Sequence, residues 1–412
     1  MKNVFLALAL AAILGLSMAA CKNGNNDNSG GSTTYTVTYD KADGSPRDPG
    51  VAVSGGGKVA APTMPTREFD FSVAGLWKEP YQPYVFEGWY DGDEEWIFES
   101  NTVTANVTLT ARWSPPASEP LVPLGGPSIV AQAISHINAP GNQGVYTLAL
   151  DASLNIGAVQ NIEAGRDLTI ISTGGERTIH YVGTGGSIFS LSASGTTLRL
   201  KRNITLRGIE SNNAPLVNIA GGGMLTLETG AKIVGNTSGG GSAVSLAGAG
   251  TTFVMYGGEI SGMTSAGANA AAVRIADGAT FTMNGGIIQG NTASGDNSGS
   301  GALVTGANSV FTLEGGNISG MTSLGANSAA VRVADGATLN MNGGKIHENT
   351  ANGASSAGGV ILSDGSFTMR GGEISGNTAG GADSKGGVLV TGDNSVFTPE
   401  TGLIQGNTPG DR

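Results

Sequence analysis

Residues 272–292 read AVRIADGATFTMNGGIIQGNT, and this stretch decides the fold. Ala272-Val273-Arg274-Ile275 is a short apolar piece, and the turn Asp277-Gly278 ends it. Thr280-Phe281-Thr282-Met283 follows with strict alternation, the signature of a strand with one buried face. Gly285-Gly286 turns the chain again, Ile287-Ile288 opens a third piece, and Asn291-Thr292 with a Ser/Gly loop closes the unit. The same layout returns. Gly-Gly-x-Ile recurs at 257–260, 285–288, 315–318, 343–346 and 371–374, with degenerate copies at 229–233 and 401–404. The isoleucines, at positions 233, 260, 288, 318, 346, 374 and 404, keep an almost constant step. Val273-Arg274-Ile275-Ala276-Asp277-Gly278 also returns two coils later at 331–336, which points to duplication of two-coil units.

Three strand-like pieces per repeat predict an all-β chain wound as a right-handed parallel β-helix, with coils of about 28–30 residues over 125–412. A leucine-rich repeat would carry leucine at its consensus positions, and a helical solenoid would show a period of 3.6; neither pattern is present. The inward columns can be read directly. Phe253, Phe281, Phe311, Leu339, Phe367 and Phe397 share one position, and Met255, Met283, Leu313, Met341, Met369 and Pro399 the next inward one. Ile260, Ile288, Ile318, Ile346, Ile374 and Ile404 form another stack. Strand spacing sets equivalent residues about 4.8 Å apart. Each buried Phe, Met or Ile then contributes about 1.5–3 kcal/mol. Three residues after each isoleucine stand Asn236, Met263, Asn291, Met321, Asn349, Asn377 and Asn407, read as a turn ladder that methionine interrupts twice. Pro399 is read as a guard of the C-terminal sheet edge. Upstream, 129–138 has apolar residues at helical spacing and is expected to cap the N-terminal end; 168–171, 188–191 and 204–209 are expected to be earlier coil strands. In architecture this body resembles the pectate-lyase-like superfamily. Its Gly-Gly-x-Ile and Gly-Asn-Thr words resemble repeats of polymorphic outer-membrane proteins and related adhesins.

The chain begins differently. Lys2, an apolar run from Val4 to Leu16 and the small residues Ser17-Met18-Ala19-Ala20 have the layout of a secretory signal peptide over 1–20. The run is too short for a retained membrane span, which needs about 20 apolar residues. Met18-Ala19-Ala20-Cys21 resembles the lipobox of bacterial lipoproteins, with Met where Leu is usual. That resemblance implies cleavage before Cys21, the single cysteine of 412 residues, and its acylation. Residues 21–34 then read as a flexible tether, rich in Gly, Ser and Asn.

Composition shifts at Tyr35. Tyr35-Thr36-Val37-Thr38-Tyr39 alternates, and so does Val107-Thr108-Leu109-Thr110-Ala111-Arg112-Trp113; Phe86-Glu87-Gly88-Trp89-Tyr90 lies between them. In this order the three pieces resemble the internalin-type B-repeat, a β-grasp-like module of bacterial surface proteins, over 35–114. The segment 68–84 is longer than that family usually has. The aromatics are expected to form the core of so small a domain. Residues 115–124 are a Pro-rich linker.

The net charge of −11 excludes a phosphate-binding groove, and no nucleic-acid partner is expected. His136, His180 and His347 are scattered, and no Cys cluster exists for zinc. Only twelve acidic residues follow position 231. The best metal-like cluster is Asp335, Asp364 and Asp393, near one turn of consecutive coils. Asp335 and Asp364 precede Gly and Asp393 precedes Asn, which is turn chemistry, so no metal, cofactor or catalytic residue is assigned. The expectation is a non-catalytic, exported, lipid-anchored envelope protein of the outer membrane or cell surface, binding a host protein, a glycan or another surface protein. A polysaccharide lyase or glycoside hydrolase on the same scaffold, and a purely structural envelope component, are the alternatives.

Overall fold

The computed structural model describes residues 33–412 apart from 43–44, 68–70, 72, 80–83, 115–120, 123, 202 and 239–241. Cys21 and the signal segment lie outside the described residues, as do most of the tether and most of the Pro-rich linker. The chain forms two compact units, the first from residues up to 67 and 84–115, the second from 68–83 and 116–412.

The first unit is a five-stranded mixed sheet. Its strands are β1 (Thr34–Asp40), β2 (Val51–Ser54), β4 (Val85–Asp91), β5 (Glu94–Glu95) and β6 (Val107–Ser114), in the order β2-β1-β6-β4-β5. β1 and β6 run parallel at the centre, and β4 returns antiparallel with an irregularity between Phe86 and Gly88. Val37, Tyr39, Trp89, Leu109 and Ala111, one alternating set, make the core with Val59, Trp96 and Val103. Tyr39 and Phe86 meet Trp89 edge to face at 5.0 and 5.8 Å. The aromatics are therefore the core, as a domain of this size needs.

The expected unbroken domain over 35–114 differs from the structure in one respect. Its long central segment carries β3 (Gly75–Lys78), which pairs antiparallel with β7 (Gly144–Leu150), the first strand of the second unit's main body. Leu76 is fully buried there and also bridges Val122. A β-helix starts on an unpaired strand, and β3 occupies that edge.

The second unit is a right-handed parallel β-helix of about nine turns. Its three main faces hold β3 plus ten coil strands, ten strands and nine strands, each coil strand paired in parallel with the coil before. The register aligns like with like: Phe281 pairs Phe253 and Phe311, and Ile288 pairs Ile260 and Ile318. Phe253, Phe281 and Phe311 stack with centroids 4.7 Å apart, Leu339 continues the column, and Phe367 meets Phe397 at 4.9 Å. Ile260, Ile288, Ile318, Ile346 and Ile374 are fully buried; Ile404 and Phe397, on the last coil, are partly buried.

The second glycine of Gly-Gly-x-Ile explains why the word is kept. Gly286 has φ +90°, and a Cβ there would stand 2.7 Å from the Gly257 carbonyl carbon. Only glycine meets both demands. A fourth, two-residue strand follows each asparagine position between Thr237–Ser238 and Thr378–Ala379, so six coils have four strands where three were expected. The extra strand follows Met263 and Met321 as well as the asparagines.

Asn377 shows the ladder's geometry. Its Oδ1 accepts from the Asn349 backbone (3.1 Å) and side chain (2.9 Å), and its Nδ2 donates to the Ile346 carbonyl (2.9 Å). Asn407 repeats the pattern, and Asn291 and Asn349 accept the backbone N–H of Met263 and Met321 at 2.9 Å. A second ladder went unread in the sequence. The N–H groups of Ala270, Ser298, Ser328 and Ser356 donate to the hydroxyls of Ser298, Ser328, Ser356 and Ser384, all buried. The residue before each of these serines is Asn297, Asn327, Ser355 or Asp383, each in the left-handed region.

α1 (Ile129–Asn138) lies where the helical spacing placed it. Ile129, Val130, Ala133, Ile134 and Ile137 are buried in the core of the β-helix. The buried Arg166 guanidinium donates to the Ile137 and Asn138 carbonyls at 2.8 and 3.1 Å. It satisfies the helix C-terminus, where a cation is favoured.

Candidate functional site

The second face, built from the Ile strands, carries the polar side chains that stand free. Because one residue of each three-residue strand points inward, its two neighbours point outward and line up between coils. Asn155, His180 and Arg207 begin one such file, which passes Val234 and then continues through Ser261, Gln289 and Ser319 to His347. His180 pairs directly with Arg207 on the next coil. Two shallow hollows open here, of about 430 and about 400 Å³, and both are lined by His180 and Arg207. Ser153, Asn155 and Thr178 complete the first, and Glu210 and Gly235 the second. Arg207 is exposed and His180 half-buried. Among the described residues neither makes a hydrogen bond or ion pair.

Other cations on this face are engaged. Lys345 meets Glu373 at 2.9 Å, and Lys232 meets Glu176 at 3.4 Å. The Lys345 hydrogen bond, with those from Ser375 and Gln405, holds the Glu373 carboxyl down to about 2. Glu176 is also lowered, first by the Thr205 hydroxyl (2.7 Å) and then by Lys232.

A third hollow of about 490 Å³ lies further along the face and includes Glu259 and Glu348. Gln289 donates to Glu259 at 2.9 Å and is the main cause of its lowered pKa. Glu348 stands three coils from Glu259, about 14 Å at strand spacing. The paired carboxylates of glycosidases sit about 5–9.5 Å apart, so these two are not such a pair.

Asp335 and Asp364 occupy left-handed turns, with φ of +54° and +57°. Asp335 accepts from the Thr305 hydroxyl at 2.6 Å, and Asp364 Oδ1 accepts from the Asn394 backbone at 3.1 Å. Gly392, not Asp393, stands against Asp364, so the three carboxylates do not form a column. Among the described residues no three His, Cys, Asp or Glu side chains gather as a metal site.

The structure thus sets His180, one of the histidines the sequence reading found scattered, beside Arg207, to which that reading gave no role. His180 and Arg207 stand one coil length apart in the chain. That signal was present, but the repeat words begin only near position 229, so the coil register was not legible this far upstream.

The fold and this face define a parallel β-helix protein with a small β module attached. Residues 80–112, including the Phe86-Glu87-Gly88-Trp89-Tyr90 element and most of the closing strand, match the Listeria-Bacteroides repeat domain. A stretch of 69 residues, 15% of the chain, is 39% identical to a protein of Evansella cellulosilytica described as "Putative membrane protein". The chain covers 9% of that relative's length. No solved structure matches the chain.

Proposed function

We propose that this chain is a bacterial surface lipoprotein, anchored through Cys21, whose β-helix binds acidic polysaccharide along its second face without cleaving it. One observation carries the reading. Arg207 and His180 stand side by side on adjacent coils, line two adjoining hollows with Asn155, Ser153 and Thr178, and have no partner among the described residues. A guanidinium with free donors matches a carboxylate in two-pronged geometry, and neighbouring amide and hydroxyl groups suit sugar hydroxyls. The repeat-domain match and the likeness to a membrane-protein relative support an envelope setting. The lipobox resemblance at Met18-Ala19-Ala20-Cys21 supports the anchor.

The test is a binding panel of polygalacturonate, alginate and a neutral glucan, with and without calcium. Arg207→Ala with His180→Ala is expected to lower affinity for the uronates about tenfold or more, since losing a charge-assisted contact costs about 1.5–3 kcal/mol. Equal binding by this variant, or no uronate binding, rejects the ligand. Depolymerisation that Asp364→Ala abolishes would establish an enzyme instead. Metabolic labelling with a palmitate analogue, lost in Cys21→Ser, tests the anchor separately.

A further inference from the structure

The first unit holds a cavity that the polysaccharide reading does not use. It measures about 310 Å³, the lower end for small-molecule pockets. Its walls include Phe86, Trp89, Trp96 and Phe98, and the exposed Met64 also lines it. Glu95 and Glu99 also line it. Glu95 Oε1 reaches to within 3.1 Å of where a Cβ on Gly88 would lie, so the glycine of the Phe-x-Gly-Trp element leaves room for that carboxylate. Among the described residues neither carboxylate has a hydrogen bond or ion pair. Lys58 donates to the Glu99 backbone carbonyl and Arg112, the cross-strand partner of Gly88, lies over the Tyr90 ring; neither lines the cavity. Trp96 is 8% exposed, and its Nε1 is buried with no acceptor among the described residues.

Two features therefore coincide: aromatic walls and two carboxylates without an ion pair among the described residues. Aromatic faces attract cations through the ring quadrupole, most strongly for groups that shed water easily. Carboxylates add attraction and exclude anions. We propose that this cavity binds a small quaternary ammonium group. The trimethylammonium head of a ligand such as choline lies against the aromatic walls beside Glu95 and Glu99.

The full chain is titrated with choline, with tetramethylammonium and with choline's uncharged carbon isostere, by calorimetry and tryptophan fluorescence. Choline is expected to saturate and to bind about tenfold more tightly than the isostere. Tetramethylammonium should bind about as tightly as choline. Glu95→Gln with Glu99→Gln, both at exposed positions, should weaken choline binding about fivefold. Circular dichroism checks that this variant is folded. Equal affinity for choline and the isostere, no saturable binding, or an unchanged affinity in the folded double variant overturns the proposal. Arg207→Ala with His180→Ala should leave choline binding intact, so this site and the polysaccharide face fail independently.

Discussion

Asn377 spends its whole side chain on neighbouring coils. Its amide accepts two hydrogen bonds from Asn349 and donates one to the Ile346 carbonyl and one to the Asn407 side chain, all in the interior. Alanine there leaves the Asn349 backbone N–H and one hydrogen of its side-chain amide buried without an acceptor. Asn377→Ala is expected to cost about 2–4 kcal/mol, because each orphaned buried group costs about 1–3 kcal/mol; urea unfolding of the full chain measures it. The ladder ends on Asp411, whose Oδ1 accepts from the Asn407 backbone (3.0 Å) and side chain (2.9 Å). These bonds, the backbone one first, lower the Asp411 pKa. A carboxylate held below its ordinary value stabilises the fold above that value and loses the effect as pH falls toward the folded pKa. Exchange of the Asn407 amide, corrected for intrinsic rate, should therefore quicken below the ordinary carboxylate range. Asp411→Asn should flatten that dependence.

At the scale of elements, the two ends of the β-helix are managed differently. β3 pairs with the first edge, Val122 bridges Leu76 of β3, and α1 packs into the core. The last coil keeps Val396 and Leu403 about half exposed, and Phe397 only partly covered. Val396 and Glu400 donate their N–H groups back to Gly365 and Met369. In such a strand alternate residues face opposite ways, so position 399 faces the open edge. Proline there presents no N–H for another chain to accept, which agrees with its reading as an edge guard. Pro399→Val should leave the unfolding midpoint within about 1 kcal/mol of the parent, yet promote concentration-dependent association. Light scattering across a dilution series checks this, and a variant that stays as monodisperse as the parent contradicts it.

Over the whole chain, stability of the repeat body is a sum of coils and the interfaces between them. Phe311 lies fully buried in the column between Phe281 and Leu339. Phe311→Ala should cost about 3–5 kcal/mol and loosen both adjoining coils, read as a lower urea midpoint with faster exchange on either side of the cavity. A loss below about 1 kcal/mol would mean that the column does not couple coils. The same additivity leaves function to the outward positions, since inward ones are committed to the stack. The outward file of the second face runs Asn155, His180, Arg207, Val234, Ser261, Gln289, Ser319 and His347, and the proposed polysaccharide site uses its first three members.

The repeat words determined the winding, the Phe and Ile columns and the asparagine corners, and the helical spacing of 129–138 determined the capping helix. All are periodic or locally signalled, and a periodic pattern needs no knowledge of distant contacts. Three things needed the folded chain. Gly75–Lys78 pairs with Gly144–Leu150, a partner far along the chain that no local pattern names. The buried serine ladder looked like a flexible Ser/Gly loop, because serine reveals a partner only when the next coil arrives. His180 and Arg207 met for the same reason: the early coils have lost the repeat words, and stacking, not spelling, sets their register.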